Sequence, residues 1–323
     1  MNRILAAATL ALLASAGAAA ANDSVGELRT GGVVPVKSVE ISMVKEDLFI
    51  SMEEVRVNYI FHNDTGRDVD VLVTFPMPDI GGFLDANPQA IPDQDSDNFM
   101  DFTAKQDGKP VPVTLQQRAF VEDEDVTARL KAAGIPLMPY ASATAAALNA
   151  LPAGKAAAFG DRFMINMGDE ATPDYTGVWT LKSAYVWKAH FPAGKDVTVS
   201  HTYRPSVGGT VQPRYLTDGK PNEEYPAYQK KYCMEPSFLK ASKKALAAGY
   251  YESRISYVLS TGANWNGPIR DFTLTVDKGD KDNYVSFCAN GVKKIGPTTF
   301  QVKYRDFTPK GDFDVVILGK GQD

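Results

Sequence analysis

The chain has 323 residues, 44% of them hydrophobic and 23% charged, with 34 Lys and Arg against 39 Asp and Glu. A net charge of −5 with no dense basic run excludes a phosphate-tracking surface, so nucleic acid is not an expected partner. A chain of this size buries a large core, as one long β domain or as two smaller ones.

Met1-Asn-Arg3, an apolar alanine-rich run to about Ala18 and then Ala19-Ala20-Ala21 have the layout of a secretory signal peptide. Cleavage is expected after Ala21, which removes Arg3 and leaves the exported chain one unit more acidic. No cysteine follows the cleavage point to take a lipid, and no later segment has the roughly 20 apolar residues that a membrane helix needs.

Beyond the leader, Val34, Val36, Val39, Ile41 and Met43 mark an extended segment that reaches Glu46-Asp47 before Leu48-Phe49-Ile50 resumes, which predicts a hairpin. Val55, Val57, Tyr59 and Phe61 alternate with Arg56, Asn58 and His62. After Asn63-Asp-Thr-Gly66, Val69, Val71, Val73 and Phe75 alternate with Asp68, Asp70 and Thr74, predicting a second hairpin that ends at Pro76-Met-Pro78. Asp93, Asp95 and Asp97 fit the start of an EF-hand loop. Asn98 and Ala104, however, stand where its glycine and its bidentate glutamate belong, so the run reads as a solvated acidic loop.

After Phe120 the period changes. Glu122-Asp-Glu-Asp125 introduces a helix over 126–133 that Asp125 caps and Gly134 closes, and a second helix from about Ser142 to Leu151 stops at Pro152. Residues from about 122 to 172 are therefore a helical insertion on a β domain. The β pattern resumes at Trp179. Tyr185, Trp187, Ala189 and Phe191 share one face, Lys188 and His190 the other, and Pro192-Ala-Gly-Lys195 turns into Val197, Val199, His201 and Tyr203. Facing Phe191 with Val197 brings Trp187 to His201 on the apolar face and leaves His190 on the opposite one.

Pro205, Gly208-Gly209, Pro213, Gly219, Pro221 and Pro226 mark a domain boundary or a long crossing loop, and as a boundary they divide 22–205 from 206–323. The C-terminal part has one predicted helix, Pro236 to Ala248, and strands around Ile255–Leu259, Phe272–Val276, Tyr284–Cys288, Thr298–Tyr304 and Phe313–Leu318. Phe300, Val302 and Tyr304 point inward. The expected fold is mainly β, an antiparallel sandwich that is one elaborated unit or two in tandem, with the small helical insertion.

Two features stand out in this part. Cys233 and Cys288 are the chain's two cysteines, and an even pair in an exported protein predicts a disulfide; neither has the neighbouring cysteine that a zinc site needs. The loop Gly262-Ala-Asn-Trp-Asn-Gly-Pro268 asks for permissive backbone at its glycines and carries Trp265 where turns usually hold small polar residues. Asn264, Trp265 and Asn266 either present a ring face and two amides to a sugar-like or peptide-like ligand, or the indole folds back and plugs the sandwich. Burial of the ring separates the two.

Catalytic signals are sparse. His190 and His201 lie on opposite faces and cannot share a metal, His62 sits on the polar face of its strand, no Gly-x-Ser-x-Gly elbow occurs, and no cofactor motif is present. Asp271 and Asp277 share a face about 20 Å apart, beyond the roughly 5–9.5 Å of a glycosidase pair. No catalytic, metal-binding or cofactor-binding residue is expected.

The run Ser260-Thr-Gly-Ala-Asn-Trp-Asn-Gly-Pro-Ile269, Phe272-x-Leu274-x-Val276-Asp277-Lys278-Gly279, Val285-Ser-Phe-Cys288 and Pro297-Thr-x-Phe300 resembles the DUF4424 domain family. Asn22-Asp23-Ser24, Glu46-Asp47-Leu48, Phe75-Pro76-Met77-Pro78 and His201-x-Tyr203-Arg204-Pro205-Ser206 are similar to it as well. The resemblance covers nearly the whole chain after the leader. It implies an exported bacterial protein of the periplasm and supplies no site residue. Together these readings point to a non-enzymatic binding or interaction module, its partner an envelope protein or a sugar-like or peptide-like ligand. A periplasmic hydrolase or carbohydrate-active enzyme with acids converging in the fold, and an envelope scaffold, are the competing classes.

Overall fold

The computed structural model describes residues 23–29, 32–77, 79–82, 89–166, 168 and 174–320; the expected leader, residues 1–21, lies outside them. Strands make up 44% of the chain and helices 18%. One layer is an eight-stranded sheet in the order Lys293–Lys294, Thr299–Phe307, Ile269–Asp277, Ile41–Ile50, Val55–Asn63, Asp196–Tyr203, Thr103–Gln106, Lys109–Pro110. Two sheets face it. The first has six strands in the order Glu124–Asp125, Thr114–Val121, Thr180–Phe191, Val69–Pro76, Ser24–Arg29, Gly32–Val36; the second has five in the order Tyr284–Phe287, Phe313–Gly319, Tyr251–Tyr257, Val207–Thr210, Gln89–Ala90.

Every pairing in these three sheets is antiparallel except Ile269–Asp277 against Ile41–Ile50, which is parallel. That pair joins strands from either side of residue 205 in one sheet, and a single apolar core runs from Ile41 and Phe61 through Leu274 to Ile317. A smaller cluster of Tyr215, Tyr232, Phe238 and Leu318 lies under the C-terminal helices.

The strands fall where alternation puts them, but their partners differ from expectation. Val55–Asn63 and Val69–Pro76 do not form a hairpin. The first pairs with Ile41–Ile50 and Asp196–Tyr203, the second with Thr180–Phe191 and Ser24–Arg29, so the chain at 64–68 crosses between layers. The same holds for Thr180–Phe191 with Asp196–Tyr203, and Tyr251–Tyr257 and Ile269–Asp277, consecutive around the tryptophan loop, also lie in different sheets. A connection between facing sheets uses the same Gly, Pro and Asn as a hairpin turn, and a strand with one buried face alternates identically in either. Nor is there a turn at Glu46-Asp47. Ile41–Ile50 runs straight through, with a bulge between Met43 and Lys45 and Glu46 fully buried; the hairpin at this end is Ser24–Arg29 with Gly32–Val36.

The insertion carries three helices, Thr127–Ala132, Ser142–Asn149 and Ala153–Phe163, of which the third was not expected. Pro152 ends the second helix and directly precedes the third, a position where its missing N–H costs nothing. Asp125 Oδ1 accepts the Thr127 amide at 2.9 Å, and Gly134 closes the first helix at φ 73°. The acidic loop has a structural use: Asp95 accepts both the amide and the hydroxyl of Ser142 and so caps the second helix. Trp179, fully buried, donates Nε1–H to the Leu137 carbonyl at 2.7 Å and pins the insertion to the sheet. Two helices cover the C-terminal side, Tyr225–Tyr232 and Pro236–Ala247. The sequence concealed the first because Pro226 reads as a breaker, yet in a first turn it has no hydrogen bond to lose.

Candidate functional site

The loop Asn264–Asn266 faces inward rather than toward a ligand. Residues Ser260–Asn264 form a 3-10 turn, Gly267 takes φ 79°, and Gly262 needs no positive φ. Trp265 is 1% exposed, its ring 4.4 Å from Phe61 and 6.5 Å from Phe191, and its Nε1–H donates to the Asp23 carbonyl at 2.9 Å. Asn264 Nδ2 donates to Ser24 Oγ at 3.0 Å, and Asn266 Nδ2 to Asp64 Oδ2 at 3.1 Å. The ligand-platform reading of Trp265 is thereby corrected. An indole sealed between two phenyl rings offers no face to solvent, and the loop clamps the start of the described chain.

His201 does stand beside an acid. Its Nε2 lies 2.8 Å from Asp23 Oδ2, and both side chains are sealed from solvent. Trp187, Phe75, Phe102 and Tyr59 surround the imidazole with centroids 5.2–5.7 Å away. Trp187 thus meets His201 across the layers rather than between paired strands. Burial pushes the Asp23 carboxyl upward, with the His201 charge opposing it. A histidine–carboxylate pair can act as a base, but this one is sealed from solvent on both side chains, and the arrangement fixes the layers in register. His190 lies on the opposite, exposed face, 2.7 Å from Asp70.

An accessible concave surface lies elsewhere, where Ile269–Asp277 and Thr299–Phe307 face Phe313–Gly319. A cleft of about 770 Å³ opens there, lined by Leu259, Phe272, Leu274, Tyr304, Phe307 and Phe313, with Glu235, Asp312 and the Cys233–Cys288 pair at its borders. Phe272 is directly opposite Tyr304 in the strand register, their rings near parallel with centroids 6.1 Å apart. Strict alternation would send Phe307 to the other face. Asp306, at φ 50°, breaks the alternation, and the Phe307 ring comes within 4.6 Å of Phe272 and 5.2 Å of Tyr304. Asp is one of the few side chains tolerant of that backbone, and this was the available hint in the sequence.

The cleft wall is tied twice. Cys233, closing the Tyr225–Tyr232 helix in the left-handed region, and Cys288, just past Tyr284–Phe287, have sulfurs at bonding distance, 2.06 Å. Next to them the Tyr304 hydroxyl donates to the Asn290 carbonyl at 3.0 Å and accepts its amide at 2.9 Å. A second cleft, about 540 Å³, shares Cys233, Glu235 and Ala289 with the first and is lined by Phe238, Val285, Phe287 and Phe300. Lys278 borders it, but its ammonium is spent on the carbonyls of Lys281 and Asn283, and burial pushes its pKa down. Among the described residues no group of three or more His, Cys, Asp or Glu is placed to hold a metal ion. No helix among them is long and apolar enough to cross a membrane.

Among solved structures the chain is similar to one from Legionella pneumophila, provisionally described as a nutrient binding protein. The two share 17% identity and a TM-score of 0.42 over 92% of this chain and 71% of that one, a likeness too loose to transfer a ligand. No curated protein matches the chain. Residues 21–316 match the family model described as a domain of unknown function, DUF4424, and on that extent the chain belongs to the DUF4424 family.

Proposed function

We propose that this chain is an exported, periplasmic binding protein that takes a small ligand in the aromatic cleft beside Cys233 and Cys288. The observation that carries the reading is a contrast in access. The His201–Asp23 pair of the interior is sealed, whereas Tyr304 and Phe307 are half-buried in an open cleft of about 770 Å³. That volume falls in the range of small-molecule sites, and a mostly apolar lining with a few polar groups at the border is their usual chemistry. The export step rests on the leader sequence at 1–21 and on two cysteines at bonding distance, a pairing favoured in an oxidising compartment.

One observation favours a second reading, a carbohydrate-active hydrolase: Glu235 and Asp312 border the same cleft. Both are exposed, whereas a general acid is set by an enclosing apolar pocket. Purification from the periplasm followed by native mass spectrometry tests the binding reading. The wild-type chain is expected to start at Asn22 and to carry a small molecule that a folded Phe307→Asp variant lacks. Retention of the molecule by that variant, or a chain confined to the cytoplasm, refutes the proposal.

A further inference from the structure

Charge at the cleft border narrows the ligand's chemistry. The lining contains two carboxylates, Glu235 and Asp312, and no Lys, Arg or His. Asp312 accepts a hydrogen bond from the Ser260 hydroxyl at 2.9 Å, and Glu235 lies 3.5 Å from the Ser237 hydroxyl. Two cations on the flanking elements are committed elsewhere. Lys231 pairs with Asp314 at 3.3 Å, and Arg305, on the outward face of its strand, pairs with Asp271 at 3.4 Å. The cleft therefore presents negative charge above an apolar floor.

That floor is itself suited to a cation. Phe272, Tyr304 and Phe307 form a cluster with centroids 4.6 to 6.1 Å apart, and Tyr304 and Phe307 are only partly covered. A ring face carries negative quadrupolar potential and attracts an ammonium group, the more so where walls exclude water. Carboxylates at the border raise the local concentration of cations and repel anions. An apolar body gains from burial against Leu259, Leu274 and Phe313.

We propose that the cleft selects an organic cation: an amine carried on an apolar or aromatic body, which a basic peptide side chain also supplies. This rests on the cleft being the binding site. Neutral sugars gain nothing from the two carboxylates beyond hydrogen bonds, and free carboxylates or phosphates are repelled.

The test uses the processed full-length protein and three probes of matched shape: 2-phenylethylammonium, 2-phenylethanol and 3-phenylpropionate. Binding is followed by titration calorimetry and by NMR shifts of the cleft residues. The ammonium is expected to bind at least tenfold tighter than the alcohol, with the carboxylate weakest, and the preference shrinks as salt is raised. In Glu235→Gln/Asp312→Asn, whose side chains are exposed and leave melting unchanged, ammonium and alcohol are expected to bind equally. Equal affinity of alcohol and ammonium for the wild-type chain, or a preference that survives in the double variant, overturns the cation assignment and leaves the cleft as a site. Absence of cleft shifts with all three probes overturns both.

Discussion

Replacing Trp265 separates the two things the indole does. In Trp265→Phe the ring body stays between Phe61 and Phe191 while the Nε1–H is lost, leaving the Asp23 carbonyl buried without that donor. Loss of such a partner costs about 1–3 kcal/mol, and the smaller ring adds a little cavity, so about 2 kcal/mol is expected. In Trp265→Ala the packing goes too. Large-to-small aromatic substitutions in cores cost about 3–5 kcal/mol, and the lost hydrogen bond to the buried Asp23 carbonyl puts this one at the upper end. Against a total stability of about 5–15 kcal/mol, that is a large fraction. Urea unfolding followed by far-UV circular dichroism measures both, with an unchanged m-value showing that the comparison concerns the folded state. A Trp265→Phe variant within 0.5 kcal/mol of wild type would mean that the carbonyl finds another donor. A Trp265→Ala variant that loses less than about 1.5 kcal/mol refutes the burial of the ring itself.

Removing one partner of the sealed pair, as in His201→Ala, takes the imidazole away from the buried Asp23 carboxyl and is expected to cost about 3–5 kcal/mol in the same assay, while His190→Ala on the exposed face stays within about 0.5 kcal/mol. Cys233→Ser/Cys288→Ser releases a loop with a sequence separation of 55, worth about 4 kcal/mol by chain entropy, and alkylation of the wild-type protein without reductant is expected to find no thiol. Glu252 is buried between the Arg214 amide, the Tyr228 hydroxyl and Arg254, and burial raises its carboxyl pKa. The folded chain then holds that proton more tightly than the unfolded one, so its stabilising contribution is present at low pH and lost as pH rises through the raised value. Wild-type stability minus that of Glu252→Gln should fall as pH climbs above about 4; a rising difference contradicts the assignment. Gly177→Ala places a Cβ 2.6 Å from the Trp179 ring and is expected to cost about 1–3 kcal/mol and loosen the helical insertion, read as faster proteolysis between residues 122 and 172.

Of the candidate site, the sequence showed one half. Phe272, Leu274, Val302 and Tyr304 were legible as an inward face because period-two alternation reports which side of a strand is buried. The pairing of Cys233 with Cys288 was legible because a chain with two cysteines has one intramolecular pairing open to it. Phe307 was not, since Asp306 breaks the alternation just before it. Glu235 and Asp312 were not either, because they come from a helix start and a loop separated by most of the C-terminal segment, and they meet only around the cleft.

The sequence by itself determined the local rules: mainly strands, the insertion at Thr127–Ala132 and Ser142–Asn149, and which side chains of each strand are apolar. Only the tertiary structure decided partners. The expected hairpins around 63–68 and 192–195 are crossings between layers, and the one expected at Glu46-Asp47 is a single straight strand, because hydrogen-bond pairing depends on long-range packing that leaves no trace in alternation. The same packing decided the fate of Asn264-Trp265-Asn266. A tryptophan flanked by asparagines on a Gly/Pro-bounded loop suits a ligand site or a core plug equally well, and it became a plug because Phe61, Phe191 and the Asp23 carbonyl, from three distant segments, close around it.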